Sequence, residues 1–421
     1  MRQVHRADGL REGQARGVHR RALKPTIRQL YPRRICTGFL RPILCIIASY
    51  GGKGDSRVVR ILFLTDDALD YVSDPLYVGL SRILGDEQVV DYPYKPCFHD
   101  PEAKPWFLTQ RPGKKYDREE IADLLRDRFF DLVCLASFRQ ECLDECARLF
   151  GRIPFPPMAF VDGGDDVRIR HDVAGRYPIE VYFKRDYVWR RRNRLCDLGT
   201  QAWAFRGDRR LFERTFPLPL SIVMEVLPDF GGMGKEIDVS YRGRASHPSR
   251  VKAVEILSRM EGVRFSGGVY ASPDDRKYKL KTGAFERLRM KVLDDGPAST
   301  ADQQKKQAPE AYYREIVSSR IAVALRGGGL TASPRYYEIV AMKTMLISDV
   351  PKAVIPNDFV DRRHAVFCKP DLSDLETLVR YYLRHDAERE AITRDGYAHL
   401  LKYHTCERRA EYFLDICRRV L

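Results

Sequence analysis

From Val59 onward the chain repeats one pattern: a short apolar run, a polar turn, then an amphipathic stretch of helical period. This pattern constrains the fold more than any single motif does, because a strand without a polar face must be covered on both sides. Val59 to Leu64 (VRILFL) is such a run and ends in Thr65-Asp66-Asp67. Asp74-Pro75 opens a helix that carries Leu76, Leu80, Ile83 and Leu84 on one face and stops at Gly85. Val89-Val90 is a short strand, and Glu119 to Phe129 is a helix. Asp131 to Ala136 (DLVCLA) is a further buried strand, followed by a helix to Phe150. Met158 to Val161 is a fourth strand, running into Asp162-Gly163-Gly164-Asp165-Asp166. Strands alternating with helices imply right-handed βαβ units and a parallel sheet.

After an irregular passage, 185–230, the same alternation resumes. Ile237 to Tyr241 is a strand entering the turn Arg242-Gly243-Arg244, and Ser246 is positioned to cap the helix behind it. Val263 to Phe265 is the next strand, and the charged, weakly patterned residues 272–308 read as an insertion. Pro309 to Ser318 is a helix, Arg320 to Leu325 a strand, Arg335 to Lys343 a helix, and Met345 to Ser348 and Ala365 to Cys368 are strands. Ser373 and Glu376 have capping-box spacing, and His404-Thr405 precedes a final helix, 406–419. At 421 residues two domains are the default. The predicted boundaries are 58–225 and 226–421, behind a basic, disordered leader, 1–57.

That leader accounts for most of the charge. It holds thirteen Lys and Arg against Asp8, Glu12 and Asp55, so the rest of the chain carries only +5 of the total +15. A basic tail can touch an anionic membrane surface, but it does not make the folded body a nucleic-acid binder, and none is expected as a partner. The run Arg190 to Arg194 beside Trp189 lies in no nucleic-acid-binding motif. The ten cysteines include no CxxC pair, which fits reduced thiols in a cytoplasmic protein, and no metal or other cofactor is expected. Leu40 to Ala48 has the outline of a short signal segment, but it is interrupted by Arg41-Pro42.

The chemistry concentrates between Ile321 and Lys343. Gly327, Gly328 and Gly329 follow a buried strand, so backbone N–H groups there can approach an anion, and the next helix N-terminus adds partial positive charge. Arg326 stands at the strand's C-terminal end, the edge where open parallel sheets bind ligands. Arg335 and Glu338, three residues apart, share a helix face. They suit a phosphate and a ribose diol, or they form a simple surface ion pair. Arg244 is a second phosphate candidate, or a surface arginine. In the first lobe Asp67, Asp162 and Asp165 sit at strand ends and are the candidates for a catalytic base, with Asp66 and Asp166 beside them. Ordinary turn and capping chemistry uses the same residues.

The stretches SRIAVALRGGGLTASPRYYEIVAMKTMLISD, HAVFCKPDLSDLETLVRYYL and YHTCERRAEYFLDIC resemble the C-terminal domain of bacterial glycosyltransferases related to the spore-coat protein CgeB. AFVDGGDD, EVYFKRDY and KEIDVSYRGRASHPSR upstream are similar to the same group, so the resemblance covers about residues 58–421. It implies two Rossmann-like lobes (GT-B) with parallel sheets and a ligand cleft between them. It also implies a nucleoside-diphosphate sugar held by the C-terminal lobe, Glu338 on the ribose, Arg335 as the basic residue before it, and a hydroxyl acceptor of unspecified kind. The setting would be glycan, envelope or glycoconjugate biosynthesis, and the alternative is a non-catalytic relative working in surface or coat assembly. Lys343 departs from the small residue or Gly usual at its position.

Overall fold

The computed structural model describes residues 59–103, 107–150, 153, 155–189, 204–270, 309–327 and 329–421. The leader 1–57, the arginine run 190–194, the insertion 272–308 and Gly328 lie outside the described residues. Two parallel sheets form the body. The first has strand order β2-β1-β3-β4-β5-β6, from β1 (Ile61–Leu64), β2 (Val89–Tyr92), β3 (Leu132–Leu135), β4 (Met158–Asp162), β5 (Ile179–Lys184) and β6 (Thr215–Pro217). The second has order β11-β10-β9-β7-β8, from β7 (Ile237–Arg244), β8 (Phe265–Tyr270), β9 (Ser319–Ala324), β10 (Met345–Asp349) and β11 (Val366–Cys368). Both orders reverse direction once, between β1 and β3 and between β7 and β9, and such switch points open a crevice at the strands' C-terminal ends.

Among the described residues, the helices of eight residues or more are α1 (Ser73–Leu84), α2 (Arg118–Arg126), α3 (Gln140–Phe150), α4 (Pro248–Ser258), α5 (Pro309–Val317), α6 (Pro334–Ala341), α7 (Leu375–Arg384), α8 (Asp386–Tyr403) and α9 (Cys406–Val420). Period-two burial explains the layers. Ile61 and Phe63 of β1 face one core and Leu62 and Leu64 another. In β9, Ala322 and Ala324 share the core of Ile61 and Phe63, while Ile321 and Val323 face a third. One apolar core therefore runs through both sheets' inner faces, and each fully buried large side chain in it contributes roughly 1.5–3 kcal/mol.

Several local expectations need correction. β5 and β6 were not expected as strands; β5 ends in the charged Lys184, which looks like a surface residue but is fully buried against Asp162. The cap of α4 is His247, whose Nδ1 accepts from the Ser249 N–H at 3.2 Å, while Ser246 Oγ accepts from Arg250 instead. Asp374, not Ser373, precedes α7, and its side chain makes no cap there, because Asp374 Oδ1 accepts from the Lys369 N–H at 2.9 Å. Thr405 does cap α9, accepting from the Arg408 N–H at 3.4 Å.

The chain's end returns to the first sheet. α9 packs on α1 and places Phe413 against Phe183 of β5, ring centroids 4.7 Å apart. Backbone bonds from Ile222 N–H to His404 O (3.1 Å) and from Cys406 N–H to Ile222 O (2.9 Å) fix the start of α9. Gly79 of α1 permits this approach, because a Cβ there would lie 2.2 Å from the Cys406 carbonyl oxygen. Gly79→Ala should therefore cost about 1–3 kcal/mol by overpacking, read as a lower urea midpoint with an unchanged m-value.

Where α8 gives way to α9, the rings of His364 and His399 stack 4.0 Å apart beside His404. Burial, then the charges of His399 and Arg363, brings the His364 pKa down to about 4. Burial is also the leading cause lowering His399 and His404. The unfolded chain thus takes up these protons first, so the stability present above pH 6.5 is lost as pH falls toward 4. Urea midpoints across that window should fall in the native protein and fall less in His364→Phe.

Candidate active site

The two switch points bring different chemistry to their strand ends. At the second, Arg244 ends β7 and Arg326 follows β9. Between them lies Arg250 of α4, only 5% exposed, whose guanidinium donates to Arg326 O (2.8 Å), Leu325 O (3.0 Å), Arg244 O (3.2 Å) and Ser246 Oγ (3.3 Å). It sews the two strand ends together and keeps its charge beneath the crevice floor. Gly327 leaves it room, since a Cβ there would sit 3.1 Å from Arg250 Nη2.

Arg326 is oriented by Asp349 at the end of β10. The Arg326 N–H donates to Asp349 Oδ1 at 3.0 Å, and its Nε lies 3.5 Å from Oδ2. Burial raises the Asp349 pKa above the usual carboxylate value. His247 Nε2 lies 3.5 Å from Arg326 Nη2. Burial and the charges of Arg326, Arg250 and Lys352 lower its pKa, so this imidazole stays neutral and the positive charge resides on the arginines. Helix α4 begins at this spot, directing N–H groups toward the same place.

Arg335 and Glu338 are both buried, on α6, and so do not form a surface ion pair. Tyr312 of α5 donates its hydroxyl to Glu338 Oε2 at 2.7 Å. The Arg335 guanidinium lies 5.9 Å from the Tyr312 ring centroid. Glu338 also lines a cavity of ≈ 30 Å³ together with Tyr71, Pro75 and Phe107 of the first lobe and residues between Leu220 and Leu227. Its helix face thus looks into the gap between the sheets. Lys343, just after α6, points elsewhere: its ammonium lies over the Tyr397 ring at 4.9 Å.

The glycine turn meets the first lobe. A Cβ on Gly329 would come within 3.0 Å of both Asp165 Oδ1 and Asp186 Oδ2. Asp186, fully buried behind β5, accepts from the N–H groups of Leu330 (2.9 Å) and Thr331 (3.2 Å). The anion expected beside this turn is therefore, for those two donors, a carboxylate of the protein itself. Tyr187 O also accepts from Val354 N–H at 2.7 Å.

The three candidate bases are treated differently. Asp162 is fully enclosed: Oδ2 accepts from Lys184 Nζ (2.8 Å) and Tyr182 (2.6 Å), and Oδ1 from the Gly164 N–H (3.0 Å). Its geometry is that of a buried ion pair whose oxygens are already occupied. Asp165 pairs with Arg185 and stands exposed beside Gly329. Asp67 is exposed after β1, while its neighbour Asp66 is buried and accepts from the Ala68 N–H (2.9 Å) and Ser137. Asp166 pairs with Arg168 at 3.0 Å.

Four contributors had no distinct sequence signal: Arg250, Asp186, Asp349 and Tyr241. The Tyr241 hydroxyl is buried on β7 with no hydrogen-bond partner and feels the charges of Arg250, Arg335 and Asp349. Only the position of Asp349 at a strand end could have flagged it.

Two parallel sheets with their switch points facing a common gap define the GT-B class of fold. The solved structures agree. A glycosyltransferase from Rickettsia africae superposes with TM-score 0.55 at 9% identity, covering 86% of this chain and 98% of its own. Anabaena HepE in complex with UDP-glucose gives 0.54 at 9%, covering 86% and 99%. Sucrose-phosphate synthase from Thermosynechococcus elongatus gives 0.50 at 11%, covering 86% and 98%. At such identities the likeness is one of fold. In sequence, residues 280–415 match the family described as glycosyl transferase-like, and no curated protein matches. The fold is thus GT-B, and the glycosyl transferase-like family match is confined to residues 280–415.

Asp186→Ala would leave the Leu330 and Thr331 N–H groups without their acceptor. Unfolding should show a loss of about 1–3 kcal/mol, and Asp186→Asn, which keeps an acceptor oxygen, should recover part of it.

Proposed function

We propose that this protein moves a sugar from a nucleoside-diphosphate sugar to a hydroxyl acceptor in the gap between its sheets. The observation that carries the proposal is the convergence of Arg244, Arg326 and the α4 N-terminus on one switch point, with Arg250 holding them there. In this reading the bond from anomeric carbon to diphosphate oxygen breaks, and the acceptor oxygen bonds to that carbon. The departing diphosphate gains charge and is met by fixed guanidinium groups and backbone N–H dipoles, which need not reorganise during the reaction. Gly327 allows the close approach. Gly329 keeps the bend narrow, although the next two N–H groups already serve Asp186. Glu338, oriented by Tyr312, would accept from the ribose hydroxyls, with Arg335 balancing its charge. The acceptor proton would pass to Asp165 or Asp67, the two exposed carboxylates at first-lobe strand ends, and not to Asp162.

The neighbours support the donor class, since Anabaena HepE has been solved with UDP and with UDP-glucose. The order of sequence motifs along residues 58–421 supports kinship with the CgeB-related group and a setting in glycan, envelope or glycoconjugate biosynthesis. The basic leader is the part of the chain suited to a membrane surface.

Calorimetric titration with UDP tests this. Arg326→Ala should weaken UDP at least about tenfold, the scale of one charge-assisted contact, while melting near the native temperature. The native protein should prefer UDP to 2′-deoxy-UDP, and Glu338→Gln, which retains an acceptor for Tyr312, should lose that preference. UDP affinity unaffected by both substitutions would sink the proposal.

A further inference from the structure

Away from the crevice, at the opposite edge of the second sheet, lies a cavity of ≈ 400 Å³. Its walls come from the strands' N-terminal ends: Lys235 precedes β7, Arg320 is the second residue of β9, and Lys343 precedes β10. A parallel strand rises about 3.3 Å per residue, so roughly a full strand length separates this edge from Arg244 and Arg326. Helix α8 supplies the rest of the wall, Arg389 and Arg394 with Glu390 between them. Five cations thus face one carboxylate. Counting Asp238, 3.8 Å from Arg320, and Asp386, paired with Arg389, still leaves an excess of positive charge.

Three details set this cavity apart from a solvated basic face. First, among the described residues Lys235 Nζ is held by neutral oxygens, donating to Val317 O (2.8 Å), Thr344 Oγ1 (3.0 Å) and Lys343 O (3.4 Å). Burial of that ammonium, and then the Arg389 charge, brings its pKa down to about 8 although the lysine stem is exposed. Second, Lys343 adopts φ +53°, a left-handed conformation that favours glycine and strains an L side chain. Third, the Lys343 ammonium is held over the Tyr397 ring, on the cavity wall, so the strained residue is aimed into the basin.

We infer that this basin is a second anion site, distinct from the inter-sheet crevice, built for a phosphate or diphosphate ester. A compact multivalent anion would satisfy Lys343, Arg394 and Arg320 together, and guanidinium and ammonium groups are the side chains that bind phosphate oxygens best. The source of the phosphate is either a free metabolite or an anionic lipid headgroup.

Pyrophosphate at low salt, titrated calorimetrically into the full chain, is the probe. The native protein should bind it at two classes of site. The double variant Lys343→Gly, Arg394→Ala should lose one class, weakened at least about tenfold, and Arg326→Ala should weaken the other. Because glycine relieves the φ strain, Lys343→Gly alone should melt no lower than native, which separates lost binding from lost folding. Co-sedimentation with phosphatidylglycerol vesicles assigns the source, with the leader intact in both proteins. Weaker capture of the double variant would point to a headgroup, and equal capture to a free phosphate ester. If the double variant binds pyrophosphate like the native chain while Arg326→Ala abolishes binding, all anion affinity lies in the crevice and the second site does not exist.

Discussion

A single buried carboxylate, Asp186, controls how the two sheets meet. It leaves β5 of the first sheet and receives two backbone N–H groups from the loop behind β9 of the second. A charge this enclosed is tolerated only when its oxygens are occupied, so its partners are not interchangeable. Gly329 is the corresponding concession on the other side: a Cβ there would press to within 3.0 Å of the Asp186 and Asp165 carboxylate oxygens. The crevice therefore has one closed corner, where the glycine turn is clasped. Its working part lies next to this, where Arg244, Arg326 and Glu338 look inward. A loop read in isolation as a ligand cradle is thus partly a clasp between the two sheets.

The same accounting separates structural from chemical charges elsewhere in the first lobe. Asp162 with Lys184, and Asp74 with Lys95, are ion pairs buried on both sides. Burial raises the Asp74 pKa to about 6 even though Lys95 opposes the shift. Breaking one member of such a pair strands the other, which is why these residues hold the fold and are poor candidates for proton transfer. The exposed Asp67 and Asp165 carry no such penalty. In the second lobe the arrangement is inverted: Arg250 is buried against carbonyl oxygens, and the arginines it positions retain room for a ligand.

Much of the fold was legible because fully buried strands have no polar face to confuse the pattern. β1, β3, β4, β9 and β10 lie where apolar runs placed them, while β7 continues past its apolar run through Arg242-Gly243-Arg244, which reads as a turn in the sequence. β5 escaped because Glu180 and Lys184 bracket its apolar centre, and no local rule says that Lys184 will meet Asp162, 22 residues earlier at the end of the preceding strand. The site shows the same division. Arg326, Arg335 and Glu338 could be singled out by their place after a strand or along a helix face. Arg250 could not, since it reads as an ordinary polar position of an amphipathic helix. Its importance arises only when β7 and β9, separated by α4, β8 and α5, become neighbours and need a common anchor. Asp186 is equally silent, because its partners lie 144 and 145 residues away.

Parallel sheets are polar objects, and this polarity links the two cationic regions of the second lobe. Every strand of the sheet delivers its C-terminal end to the crevice and its N-terminal end to the opposite edge. Side chains at the first edge serve whatever lies between the lobes, while those at the second are free to serve something else. α6 couples the two edges physically: its first turn carries Arg335, its next Glu338, and its end runs directly into the strained Lys343. Thr344, bonded to Ile316 O and to Lys235, immediately precedes β10, whose far end is the Asp349 that orients Arg326. Lys343 thus sits in the short turn that joins the helix holding Glu338 to the strand holding Asp349.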